Sequence, residues 1–285
     1  MKRGSRDRRR KGPRFVGLLY HDIQPESTGA WKDIARSAAM YHVSLKAFDR
    51  HLEIIESQGL RVLGPADLTE TSQAEARAAH RDSVAICFDD GWMGPFAHAA
   101  ERLSARGWPS FCFVTTDFIG RKGFVDRRTL RTMGSGLMWV GSHARSHRML
   151  SDLETREIRG ELADSRAFLE DLLGREVRMV SIPGGAVDSR VRRIAVEEVG
   201  YTHVFTSSIS INPTAAGAHD IARVGVTAKT TEAELRRWLS FRLGPERIRK
   251  AVLDVPKKLL GMRRYSNVRR RLLGRSGSED HLFDP

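Results

Sequence analysis

Short apolar runs that end in chemically active residues recur along this chain with helix-like segments between them. That alternation constrains the fold most. The runs are "FVGLLYH", "RVLG", "VAICFDD", "SFCFVTT", "MWVGSH", "RMVSIP", "HVFTS" and "ARVGVTA". Between them, "SLKAFDRHLEIIESQG" opens on Ser44 as an N-cap and closes on Gly59. "GPFAHAAERLSARG" follows a pair of acids. "SDLETREIRGELADSRAFLEDLLG" starts with Ser151 and Glu154 at capping-box spacing and ends on Gly174. "SRVRRIAVEEVG" and "TEAELRRWLSFRLG" complete the series. Alternation of β-rich apolar strands with helices builds a parallel sheet, open or closed into a barrel. About seven units suit an α/β barrel, in which chemistry gathers at the C-terminal ends of the strands.

The polar residues fall at those ends. Asp89 and Asp90 end one strand, His143 follows another with His147 four residues on, His21 ends the first, and "SIPGG" (181–185) ends a fourth. Scattered polar residues would not choose strand ends so consistently. Two adjacent carboxylates after a greasy strand repel each other and are costly to bury. A solvated turn is the plain explanation; a metal held by one acid while the other carries a proton is the sharper one. On a helical turn, residues four apart share a face, so His143 and His147 could grip one ion. A pair of ordinary core or surface histidines has the same spacing. Two His and one carboxylate with open positions form a common catalytic metal set. A metal brings the pKa of bound water from about 16 towards about 7, and a nearby free carboxylate can take the proton.

The chain has 285 residues, enough for one large domain. Its net charge of +13 is uneven. Residues 1–14 hold eight Lys/Arg and one acid, giving +7; residues 247–285 hold eleven and four, again +7; the body, 15–246, sums to −1. The organisation is therefore a basic N-terminal tail, a globular body and a basic C-terminal extension. Basic ends can touch anionic lipid or nucleic acid, or be solvated tails. The 247–275 stretch mixes apolar and basic residues as a membrane-surface segment does, although Pro256 and Gly261 are expected to interrupt its helix. Cys87 and Cys112 lie inside apolar strands and read as reduced, buried thiols. No stretch approaches the roughly 20 apolar residues of a membrane span. The apolar run behind the basic N-terminus is too short for a signal-peptide core, so the expected location is the cytoplasm, with a peripheral position at the inner membrane face as an extension.

"CFDDG", "GSHARSHRML" and "SIPGG", in this order and spacing, resemble the successive motifs of the polysaccharide deacetylases, the family of NodB-type deacetylases and carbohydrate esterase family 4. "FVTTDFIG", the helix ending at Gly174 and "VGYTHVFTS" look like that family's connecting segments, so the resemblance covers roughly residues 15–226. It implies an irregular seven-stranded (β/α) barrel. It also implies Asp89 as general base, Asp90, His143 and His147 as metal ligands, and Pro183 and Gly184 in a substrate-binding or orienting turn. The metal would be divalent: zinc first, with cobalt, nickel, iron or manganese as other options. The family's catalytic histidine normally lies near the C-terminus, where nothing fits. "GLLYH" fits at the N-terminus, making His21 the general acid in a permuted order that resembles the poly-N-acetylglucosamine deacetylases.

The third motif departs from the family pattern. The arginine that normally precedes its proline and steadies the catalytic Asp is missing, with Ser181 and Ile182 in its place. Arg223 is a candidate replacement; a surface salt-bridging arginine is the alternative. The expected activity is metal-dependent removal of acetyl groups from N-acetylated amino sugars of a glycan or glycan precursor, with a backbone N–H near "TTDF" stabilising the oxyanion. An amidohydrolase on a small non-sugar amide and a non-catalytic glycan- or nucleic-acid-binding protein are the alternatives. The acid and histidine set argues against the last, and nucleic acid is the less favoured partner. Trp92 and Trp139 sit beside the motifs, for sugar stacking or for core packing. Oligomeric state is open.

Overall fold

The first strand lies in the middle of the sheet and not at an edge. In this computed structural model, residues 14–28, 39–68, 82–133, 136–185, 187–213 and 220–260 are described. Strand β1 (Arg14–Tyr20) pairs in parallel with β5 (Ser83–Phe88) on one side and with β12 (Arg223–Gly225) on the other. From β5, which β4 (Arg61–Val62) also joins, the sheet continues in parallel through β6 (Ser110–Val114), β7 (Met138–Ser142), β8 (Met179–Ser181) and β9 (His203–Phe205) to β11 (Asp220–Ile221), while β10 (Asn212–Pro213) pairs antiparallel with the start of β1. Only Ala222 separates β11 from β12. One kinked segment, 220–225, therefore bonds to β9 with its first half and to β1 with its second, and closes seven parallel positions into a barrel. Gly17 permits the closure: a Cβ there would stand 2.8 Å from the Ala222 carbonyl oxygen and 2.8 Å from Arg223 Cγ.

The strands are buried on both faces, as their unbroken apolar runs require. Ala85, Cys87, Phe111, Phe113 and Phe205 face one another with Phe15 and Ile221 in the barrel interior. The alternate residues, including Val84, Ile86, Phe88, Cys112 and Val114, pack outward against helices. Both cysteines are free and buried.

Helix α1 (Leu45–Ser57) is capped by Ser44, whose side chain accepts from the Ala47 N–H, and Gly59 follows its end with φ 62°. A five-residue π-helical turn at Pro95–Ala99 leads into α2 (Ala100–Ser104), and α3 is Arg127–Met133. The long helix α4 (Thr155–Leu173) ends on Gly174 in the left-handed conformation, as expected. Its start differs from the expectation. Glu154 is the cap and shares a capping box with Glu157, whereas Ser151 lies in a separate 3-10 turn. Helices α5 (Ser189–Arg193) and α6 (Glu232–Leu239) follow, the latter with a Thr231–Glu234 capping box. Helix α7 (Gly244–Leu260) continues through Pro256, contrary to the expected break there; Gly261 and most of the basic ends lie outside the described residues.

Above the C-terminal end of β1 the chain forms a small parallel sheet of β2 (Asp22–Gln24) and β3 (His42–Ser44). It packs directly on the backbone after the paired acids. At Gly94 a Cβ would collide with Asp22 Oδ1 and the Ile23 carbonyl oxygen.

Candidate active site

The paired acids diverge because the turn between strand and helix is left-handed. Asp90 has φ 74° and Gly91 φ 88°. A short polar side chain is among the few, besides glycine, that tolerate this conformation. Asp89 keeps the inward direction of Ala85 and Cys87, while Asp90 swings to the neighbouring strand end.

Asp89 is buried and fully gripped. Arg223 donates from one terminal nitrogen to Asp89 Oδ1 at 2.7 Å and from the other to Oδ2 at 2.8 Å, and the Ser181 hydroxyl donates to Oδ2 at 2.8 Å. Arg223 also donates to the Ser181 oxygen at 2.7 Å and, through Nε, to the Thr206 carbonyl at 3.1 Å. Its guanidinium lies 5.6 Å from the ring centres of both Phe113 and Phe205. With 1 % exposure it is an interior residue and not a surface arginine. Burial alone would raise the Asp89 carboxyl, but the Arg223 charge overrides it and holds the carboxyl below its usual range. Arg223 is raised by the same pairing against its own desolvation. Arg223 and Ser181 thus hold the Asp89 carboxylate together.

Asp90 has a different environment. Its Oδ1 is buried without a hydrogen bond, and His143 Nε2 and His147 Nε2 stand 3.3 and 3.2 Å from it. One donor atom from each of the three residues lies within 4.8 Å of the others. Asp90 Oδ2 accepts from Trp92 Nε1 at 3.1 Å. Burial would raise this carboxyl too, yet the imidazoles of His21, His147 and His143 hold it well below the usual range. A buried anionic oxygen with no hydrogen bond, faced by two ring nitrogens, fits a divalent cation: three convergent donors of the N,N,O type that zinc and similar ions take.

The two histidines do not meet on a helix, as their spacing suggested. They sit on a loop whose residues Ala144 (φ 58°) and His147 (φ 63°) are left-handed, which folds the ring of His147 back to 5.1 Å from that of His143. Glu161 of α4 holds this loop. Its carboxylate accepts from the backbone N–H of Arg145 at 3.1 Å and of Ser146 at 2.8 Å, and from the Ser146 hydroxyl at 2.5 Å. His143 Nδ1 lies 2.8 Å from the Ser181 carbonyl oxygen. As a donor there, it leaves Nε2 with a free lone pair towards Asp90, the usual support for a ligating histidine.

His21 enters from the end of β1. Its Nδ1 is buried without a partner, and its ring lies 4.5 Å from that of Tyr41. Burial lowers its pKa, while Asp90 and Asp89 pull it upward, so the ring shares the field of both carboxylates. Pro183 and Gly184 form the turn after Ser181, with Gly184 at φ 65° and its carbonyl accepting from Ser207 at 3.2 Å.

The geometry decides three of these readings. The backbone N–H groups of Thr115, Thr116, Asp117 and Phe118 each donate to a carbonyl, at 3.3, 3.3, 2.9 and 3.0 Å, so "TTDF" has no spare donor for an oxyanion. Trp139, the second residue of β7, lies at the opposite end of the barrel, under Arg175 at 5.0 Å, and is no part of the site. Trp92 is buried, stacked on Phe124 at 4.3 Å, and serves Asp90 rather than a sugar. Behind Trp92 lies a pair that sequence reading missed. His42 packs edge-on against its ring at 4.8 Å and is tied through Nδ1 to the buried Asp22 carboxylate at 2.7 Å.

Residues 76–204 match the family model described as polysaccharide deacetylase. YxkH of Bacillus subtilis (strain 168), provisionally named as a polysaccharide deacetylase, is 23 % identical over 210 residues, 74 % of this chain and 70 % of its own. The structure of IcaB from Ammonifex degensii superposes with a TM-score of 0.65 at 25 % identity, covering 81 % of this chain and 98 % of the other. That of the Streptococcus pyogenes deacetylase PplD in complex with acetate gives 0.67 at 19 % identity, covering 79 % and 97 %. Over residues 76–204 the chain is thus similar to the polysaccharide deacetylases, and the barrel and the order of these residues along it agree with that likeness.

Proposed function

We propose that the protein is a metal-dependent hydrolase that removes acetyl groups from N-acetylated amino sugars of a glycan or glycan precursor. One observation carries the reading. The hydrogen-bond-free Asp90 Oδ1 faces His143 and His147, one residue from a second carboxylate locked in its ionised form. Asp90, His143 and His147 would hold the cation, with zinc the favoured ion. When bound, it supplies Lewis-acid polarisation and lowers the pKa of water in the site.

The chain's own residues divide the remaining work. Asp89 is the general base and takes the proton of the attacking water. Its Oδ2 accepts two hydrogen bonds and its Oδ1 only one, which leaves Oδ1 the freer atom for that proton. Arg223 and Ser181 keep the carboxylate ionised and aimed. His21 is the general acid that gives a proton to the leaving amine. Burial lowers its pKa while Asp90 and Asp89 pull it upward, so its protonation answers to the field of the two carboxylates. Acetate release from a panel of acetylated saccharides, with chelator and then with added divalent ions, tests the proposal. Release that is lost with chelator and restored by metal is expected; unchanged release in chelator, or none on any acetylated amino sugar, argues against it.

A further inference from the structure

We propose that helix α7 is an interfacial anchor that lays the protein on an anionic lipid bilayer. The proposal is independent of the deacetylase reading. The first turn of α7 is fixed to the body by the buried Leu243 and by the ion pair of Arg237 with Glu246. Past that turn Arg247, Ile248, Arg249, Ala251 and Val252 are exposed. Ile248 and Val252 are 68 % and 64 % exposed, the most exposed of the large apolar residues named among those described. Four positions apart, they share one helix stripe. The sequence continues the spacing with Val255 and Leu259, seven and eleven residues after Ile248. Arg247 and Arg249 adjoin Ile248, and Lys257 and Lys258 follow.

An apolar stripe flanked by basic residues is the pattern of helices that lie in a membrane interface. Charge chooses among the occupants. Residues 247–285 carry +7 and residues 1–14 another +7, so two copies meeting along this helix would repel, while an anionic bilayer attracts. A nucleic acid would accept the charge but has no place for exposed isoleucine and valine, since its affinity comes from phosphate contacts. Only a lipid surface uses both halves of the pattern.

The test is co-sedimentation of the full-length protein with vesicles of phosphatidylcholine alone and of phosphatidylcholine with about 30 % phosphatidylglycerol, at about 0.1 and about 0.5 M salt. Binding to the anionic vesicles is expected, and at least about a tenfold loss of it at high salt. The double substitution I248E/V252E is expected to lower the partition by at least about tenfold at low salt with an unchanged melting temperature. Equal binding by the double variant would make the attraction charge alone and overturn the anchor. So would absence of vesicle binding, or a stripe-dependent dimer in sedimentation velocity, which would make the stripe a protein interface.

Discussion

Two neighbouring carboxylates avoid each other because the backbone between them turns left-handed at Asp90. Asp89 stays in line with the barrel interior and is neutralised by Arg223, while Asp90 is left to the imidazoles. Replacing Arg223 by Lys keeps the charge but not the two-pronged grip, and a planar fork is not replaced by a point charge. Arg223→Lys is expected to lower the melting temperature and to cut kcat by at least about tenfold, measured by thermal denaturation and steady-state kinetics; wild-type values for both would dismiss the grip. His21→Ala should cut kcat by about 10²–10⁴ with little change in KM, because donating to the leaving amine matters only in the transition state. A change confined to KM would assign His21 to substrate binding instead. The convergence of Asp89, Asp90, His143, His147 and His21 was legible because four of them follow strand ends in recognisable motifs and His147 lies four residues beyond His143. Ser181 and Arg223 were harder to assign. Their shared hold on Asp89 joins residues 42 and 134 positions apart, and a contact of that range leaves no local pattern.

Helices and strands were legible where periodicity and caps are local. Ser44, Thr231 and Gly174 mark ends that their side chain or backbone freedom dictates. The loop carrying His143 and His147 was misread as a helical turn, because two left-handed residues and a glutamate fifteen residues away from Ser146 shape it. The β2–β3 sheet was missed altogether, since three-residue strands carry too little pattern. Gly94→Ala tests that sheet. Its Cβ would push against Asp22 and Ile23, with an expected cost of about 1–3 kcal/mol, read as a lower melting temperature together with lower activity; a stable, fully active variant would show that the sheet yields without consequence. Helix α1 offers a pH test. Burial pushes the His51 imidazole down to about 4, and its Nδ1 lies 3.1 Å from the Tyr20 hydroxyl. An unfolded histidine titrates near 6.5, so the unfolded state binds the proton more readily. Stability from this residue is therefore full above about pH 6.5 and falls as pH drops towards 4, by at most about 3 kcal/mol. Between about pH 7.5 and 5 the His51→Gln variant should lose less melting temperature than the parent; an equally steep loss would place the pH sensitivity elsewhere.

At the scale of the molecule, closure makes the order of strands along the chain irrelevant to the site. The first strand delivers His21 beside the strand that carries Asp89, and the last, across Gly17, delivers Arg223 from the other side. Barrel and motif order were legible together because alternation fixes the layers and the motifs fix which strand ends face inward. Of the basic ends the structure describes Arg14, which starts β1, and the residues of α7. The central claim is a division of labour between adjacent acids, one holding a metal and the other moving a proton. Metal content and acetate release should therefore be determined on the same samples of wild type, Asp89→Asn and Asp90→Asn, stripped and reloaded with zinc, using an N-acetylglucosamine oligosaccharide. Wild type is predicted to hold metal and release acetate, Asp89→Asn to hold metal with turnover reduced about 10²–10⁴-fold, and Asp90→Asn to lose both. Equal loss of metal in the two variants, or release of acetate by metal-free protein, would contradict it.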